Sequence, residues 1–141
     1  MKEALKEAQN SSYEVPIAAI VVYENEIVAR AHNLVESNQD PTAHAEIIAI
    51  RQASKFLGSW RLLDCSMYVT LEPCPMCAGA IINSRIKRLV IAAMDPKRGS
   101  CGSVYNLVED ETFNHRVELR TGVMEEESRK LLQDFFKKRR K

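Results

Sequence analysis

Four residues in two short stretches have the types and spacing to do chemistry. "TAHAEIIAI", Thr42 to Ile50, carries His44 and Glu46 two residues apart at the start of an apolar-patterned segment. "LEPCPMC", Leu71 to Cys77, carries Cys74 and Cys77 three residues apart and flanked by prolines. A catalytic zinc site uses three protein ligands and keeps one position open for water, and one imidazole with two thiolates meets that need. At i and i+3 on a helix start, Cys74 and Cys77 share one face. The partial positive charge of a helix N-terminus there favours thiolate over thiol. Glu46 could ligate, but its spacing from His44 makes joint ligation by one helix turn awkward. Beside a metal it suits general acid/base work, with a water whose pKa the metal brings towards ~7.

Each fragment alone has a plainer reading. A histidine near a helix start often caps or fills the core, a Cys-x-x-Cys pair often serves redox chemistry or a structural zinc knuckle, and a helical glutamate is usually solvated. A thioredoxin-like pair leaves His44 and Glu46 unexplained. A structural zinc site needs a fourth protein ligand, and Cys65, Cys101, His32 and His115 show no paired spacing. Cys65 and Cys101 are expected to be bystander thiols, and His32 to end a strand.

Placing four such residues together requires a scaffold, and the 141-residue chain is the size of one domain, 1–141, with a basic C-terminal tail over 137–141. Apolar residues make up 45% and charged residues 28%, the balance of an ordinary globular protein. A formal net charge of +1 says nothing of partners. No run approaches the roughly 18 apolar residues that span a bilayer, and "MKEALKEAQ" has no signal-peptide character, so no membrane partner and a cytoplasmic setting are expected. There, cysteines act as thiols or ligands more often than as disulfides.

"EALKEAQ" reads as a short helix. "VPIAAIVVYENEIVARAH" reads as two strands turning at Glu24-Asn25. Asn33 to Pro41 is loop-like, and Ala43 to Leu57 is a helix with Thr42 as N-cap and Gly58 as its stop. "SMYVTL" is a strand, Pro75 opens a helix running to about Ser84, and "RLVIAAM" is a buried strand. A loop over Asp95 to Ser103, a strand in "RVELRTG" and a helix from Glu125 to about Lys138 complete the chain. Leu131, Leu132, Phe135 and Phe136 form the apolar side of that last helix, which makes Phe135 first of all a packing residue. This order predicts one α/β domain with helices covering a mixed sheet.

His-x-Glu followed by Pro-Cys-x-x-Cys resembles the zinc-deaminase signature. "DPTAHAE", "YVTLEPCPMCAGAIINSRI", "DPKRGSCGS", "FNHRVE" and "LLQDFFKKRR" together resemble the bacterial tRNA-specific adenosine deaminases of the cytidine/deoxycytidylate deaminase superfamily over nearly the whole chain. The first motif is shared with bacterial guanine deaminases, while the later ones resemble the tRNA branch. Tyr13 and Ala18 stand where the family often has glycine.

The resemblance implies a three-layer α/β/α cytidine-deaminase-like fold around a mixed sheet of about five strands. It implies one zinc per subunit on His44, Cys74 and Cys77, with Glu46 as catalytic proton carrier and the wobble adenosine of a tRNA anticodon stem-loop as substrate. Backbone groups near Ala45 and Pro73 would fix the water and the leaving amine. Asn33 would hydrogen-bond the base, Asp95 would meet the ribose or backbone, and Lys97 and Arg98 would face phosphates. Phe136 and Arg140 would contact tRNA from one helix face, with a salt-dependent contribution from the basic tail. It further implies a homodimer whose second subunit helps build the RNA surface. Two other functions compete: a guanine or other free nucleobase or nucleotide deaminase, and a non-catalytic zinc-stabilised RNA-binding module, against which Glu46 argues.

Overall fold

The computed structural model describes residues 1–11 and 13–139. Its elements are, in chain order, α1 (Lys2–Gln9), β1 (Ala18–Tyr23), β2 (Glu26–His32), α2 (Val35–Asn38), α3 (Ala45–Leu57), β3 (Ser66–Leu71), α4 (Pro75–Asn83), β4 (Arg88–Ala93), β5 (Glu118–Arg120) and α5 (Glu125–Arg139). The strands form one five-stranded mixed sheet in the order β2-β1-β3-β4-β5. β1 runs antiparallel to β2 and β3, and β3, β4 and β5 run parallel. The expected three-layer α/β/α fold is the one observed.

Local chemistry sets the joints. Glu24 and Asn25 both take positive φ, 50° and 64°, the two-residue turn whose twist matches a hairpin. Gly58 ends α3 at φ 66°, a left-handed cap that costs glycine little. Two sequence expectations need correction. Thr42 does not cap α3: its N–H and hydroxyl both donate to Asp40 Oδ1, at 2.8 and 2.7 Å, in a side-chain-closed turn. The N-cap is His44, in extended backbone, and α3 starts at Ala45. The stretch read as a loop also contains α2. Its first turn is held by the buried Glu14 carboxylate, which accepts the N–H groups of Glu36 and Ser37 at 3.1 and 2.7 Å and the Ser37 hydroxyl at 2.7 Å.

Both faces of the sheet are covered, so its central strands read as continuous apolar runs rather than as alternations. The period of two sorts them. Ala19, Val21, Met67, Val69, Leu89 and Ile91 join Ala45, Ala49, Ala53, Ala78, Ile81 and Ile82 of α3 and α4 in one core. Their alternates Ala18, Ile20, Val90 and Ala92 are buried on the other face, where α1 and α5 pack on the sheet. Each fully buried aliphatic side chain such as Ile81 or Leu89 contributes about 1.5–3 kcal/mol. Ser128 anchors α5 by donating its hydroxyl to the Thr70 carbonyl of β3. Among the described residues no helix is long and apolar enough to cross a membrane.

One consequence of this topology governs the site. Because β1 is antiparallel to both neighbours, β2 points the same way as β3 and β4. The C-terminal ends of β2, β3 and β4 therefore lie at one edge, where α/β sheets bind their ligands. The chain leaves those ends at Asn33, Glu72 and Met94.

Candidate active site

Three segments leaving that edge bring the predicted residues together. His44 caps α3 and Cys74 caps α4, both in extended backbone, while Cys77 lies in the first turn of α4 behind Pro75. Pro75 suits this position because its missing N–H has no helical partner there. The ligating atoms of His44, Cys74 and Cys77 lie within 4.8 Å of one another. Nδ1 of His44 is 3.6 Å from Cys74 Sγ and 3.5 Å from Cys77 Sγ.

The electrostatics suit a cation. Hydrogen bonding from Cys77, then from His44, overcomes burial and brings the Cys74 thiol down to about 3. The resulting anion, with burial, pushes the Cys77 thiol far up. Hydrogen bonding to Cys74 raises His44 above its ordinary value. The group therefore already stores negative charge on sulfur, and it offers two soft donors and one imidazole, the set that suits zinc. Among the described residues no fourth His, Cys, Asp or Glu joins it, which leaves a coordination position for a small molecule. Burial pushes the thiols of Cys65 and Cys101 up, in keeping with bystander cysteines.

Glu46 is buried in the first turn of α3. Desolvation raises its carboxyl to about 7, where a group can both take and give a proton near neutrality. It lines a cavity with His44, Cys74, Asn33, Asp95, Arg98, Ile17, Leu71 and Glu72. Asn33, 8% exposed, accepts the Ala45 N–H on Oδ1 at 2.8 Å. That bond satisfies the Ala45 N–H and ties the start of α3 to the end of β2. The Asn33 NH₂ and the second lone pair of Oδ1 are left to meet a ligand. The Pro73 carbonyl accepts the Ser100 N–H at 2.9 Å.

Asp95 closes the expected Asp-Pro turn beside the cavity. Its Oδ1 accepts the N–H groups of Lys97 and Arg98 at 3.0 and 3.3 Å, closing the Asp-Pro turn, and the residue also lines the cavity. Of the two basic residues that follow, Arg98 lines the cavity, and Lys97 is exposed and lines neither the cavity nor the groove beside it.

That groove shares Ile17, Asn33, His44 and Arg98 with the cavity and continues past Tyr13, Glu14, Val35 and Glu36 to Phe135, Phe136 and Arg139 of α5. The Phe135 and Phe136 rings meet edge to face at 5.3 Å. Phe135 is half-buried and forms part of the groove wall. Arg139 donates to the Tyr13 carbonyl at 2.7 Å and lies over the Phe135 ring, which ties the end of α5 to the segment before β1. Arg140, expected on this face, lies outside the described residues. Tyr13, Glu14 and Glu72 were not singled out as site residues from sequence. The only signal for Tyr13 was its standing at a family glycine, and the two glutamates act through contacts remote along the chain.

A family model described as MafB19-like deaminase matches residues 1–140. A tRNA-specific adenosine deaminase of Bacillus subtilis (strain 168) is 52% identical over 143 residues, covering 100% of this chain and 89% of that one. A solved structure from work on A-to-I editing by tRNA:A34 deaminases at the wobble position superposes with a TM-score of 0.89 at 42% identity, covering 94% of this chain and 97% of that one. The X-ray structure of guanine deaminase from Bacillus subtilis is 44% identical, with a TM-score of 0.63, but covers 66% of this chain and 61% of that one.

Proposed function

The chain belongs to the tRNA-specific adenosine deaminases, within the MafB19-like deaminase family, and on that premise we propose that it converts adenosine to inosine at the wobble position of a tRNA anticodon with the help of one zinc ion per subunit. The observation that carries this reading is the convergence of His44, Cys74 and Cys77 on one point, with the buried Glu46 carboxyl on the same cavity wall.

Bound there, zinc supplies a Lewis acid that makes water nucleophilic near neutral pH. The thiolate of Cys74, the thiol of Cys77 on losing its proton, and His44 as neutral imidazole are the groups that would hold it. Glu46 takes the proton from water, delivers it to a ring nitrogen as oxygen attacks C6 of adenine, and then carries the proton of the new C6 hydroxyl to the exocyclic amine, which leaves as ammonia while C6=O forms. Water adds and ammonia leaves, so adenosine becomes inosine with no redox change. The Asn33 NH₂ meets an acceptor on the base, such as purine N7. Asp95 stands beside the ribose, and Ile17 and Leu71 give the base an apolar wall. The aromatic and basic groove suits a single-stranded anticodon loop, whose splayed bases stack on rings and whose phosphates meet Arg98 and the basic end of α5.

A free guanine deaminase is the second reading, supported by the shared first motif and by the partial likeness to the guanine enzyme. The full-length likeness to the tRNA enzymes and the groove running on to Phe136 favour RNA. Purified protein is to be given an anticodon hairpin bearing the wobble adenosine, and separately guanine, cytosine and cytidine, with Glu46→Ala as control. Inosine in the hairpin, absent with the control, is expected. Turnover of guanine with an untouched hairpin would select the other enzyme.

We also infer a homodimer and a cytoplasmic setting. Ile47, Ile50, Trp60 and Ala80 line a shallow apolar depression on α3 and α4, and a side chain on Gly79 beside it would meet nothing within 4 Å, leaving room for close helix approach. All four cysteines are free, as a reducing compartment keeps them.

A further inference from the structure

Glu72 is buried at 3% exposure and has no part in the proton transfers above. It ends the β3 exit two residues before the ligand Cys74. A carboxylate is tolerated out of water only when its lone pairs are met. Here Oε1 accepts the Asp95 N–H at 2.8 Å and the Ser103 hydroxyl, and Oε2 accepts the N–H groups of Cys101 and Ser103, both at 3.0 Å. Every donor belongs to the 95–103 loop. Gly99 closes the cradle: a Cβ there would lie 2.1 Å from Oε1, so this position excludes any side chain while the carboxylate stays in place. The Ser100 N–H to the Pro73 carbonyl, at 2.9 Å, ties the loop to the next residue as well.

The loop so held carries Asp95 and Arg98, which form one wall of the cavity, while Cys74 and His44 lie on another. We propose that Glu72 is a positioning residue that sets the spacing between the ligand-bearing start of α4 and the 95–103 loop, and so the width of the substrate cavity. This rests on the deaminase reading of that cavity. A glutamine of the same shape cannot substitute. Whichever way its carboxamide lies, the amino group faces a backbone N–H, that of Asp95 on one side or those of Cys101 and Ser103 on the other.

The test is Glu72→Gln in the zinc-loaded enzyme, with amide exchange, zinc content and hairpin kinetics measured together. Zinc content should stay at one equivalent. Exchange at Asp95, Cys101 and Ser103 should quicken by roughly tenfold or more while β1 and β3 amides hold their rates. KM for the hairpin should rise about tenfold with kcat falling less than about threefold. Gly99→Ala, which presses on the same carboxylate, should give the same split. The KM increases of Glu72→Gln and Asp95→Ala should fail to multiply in the double variant, because one acts through the other. Should Glu72→Gln not fold, Ser103→Ala removes a single donor and should show a smaller shift of the same kind. Unchanged exchange at the three amides, zinc lost in parallel, kcat falling with KM constant, or independent KM costs would each overturn the proposal. Exchange is read without substrate, so a wild-type chain inert on every hairpin would refute the tRNA reading while the cradle is still judged on its own.

Discussion

Cys74 and Cys77 act as a pair: the hydrogen bond between them, with His44 beside it, lowers the Cys74 thiol, while the same bond and burial raise the Cys77 thiol. Both start a helix, where the macrodipole supports negative charge. Burial raises the Glu46 carboxyl to about 7, which suits a carrier rather than a fixed charge. The residues should therefore separate cleanly on mutation. Cys77→Ala removes a ligand, so zinc content by atomic absorption should fall from one equivalent towards zero, and activity with it. Glu46→Gln leaves the ligands intact: zinc should stay stoichiometric while kcat drops by on the order of 10²–10⁴ or below detection. Zinc loss in Glu46→Gln would mean that the carboxylate is a ligand.

The elements show what in this fold is local and what is not. Strands β1, β3 and β4 were readable because their apolar, β-branched runs leave no helical period, and the β1–β2 turn because Glu24-Asn25 interrupts two such runs. The start of α3 was misread by two residues because a threonine before an apolar run looks like a cap, whereas Thr42 is spent on Asp40. Helix α2 was invisible: "VESN" has no pattern of its own, and its N–H groups are met by a carboxylate more than 20 residues away. The four reacting residues were legible from type and spacing, but Glu14 and Glu72, which hold the neighbouring loops, reveal themselves only through long-range contacts. Glu14 also carries a pH signature. Burial pushes its carboxyl up, but the Ser37 hydroxyl and the N–H groups of Ser37 and Glu36 outweigh that and hold it below the ordinary 4.5. A depressed carboxyl contributes stability above its unfolded pKa and loses it as pH falls through the folded one. Glu14→Gln should thus be less stable than wild type by about 1–3 kcal/mol at neutral pH. In urea titrations under matched zinc conditions, that gap should shrink below pH 4.5. A gap that persists in acid would show that the carboxylate's charge is irrelevant.

For the whole molecule, the parallel directions of β2, β3 and β4 explain why residues some thirty positions apart meet at one edge, and the depression on α3 and α4 is the face of the proposed dimer. That proposal is tested in sedimentation: the wild type should run as a species of twice 16.0 kDa and Ala80→Arg as a monomer with the zinc site intact, and a wild type that runs as a monomer would refute the dimer. Substrate binding poses a different problem, because a net charge of +1 cannot draw RNA by itself. The proposed RNA contacts rest instead on where charge and rings are placed: Arg98 on the cavity wall, Phe136 at 44% exposure along the groove, and the basic last turn of α5. Electrostatic and stacking contributions differ in their response to salt. Each phosphate contact on a single strand contributes about −0.7 to the slope of log K against log salt, whereas one stacked base contributes ~1–3 kcal/mol with little salt dependence. Hairpin binding measured across a salt series should therefore show Arg98→Ala with a slope shallower by about 0.7. Phe136→Ala should show the wild-type slope on a line displaced by roughly tenfold or more, the affinity of one stacked base. If Phe136→Ala leaves the line in place, the base does not stack there. If Arg98→Ala shifts the line without tilting it, the guanidinium faces the base or the cavity wall rather than a phosphate.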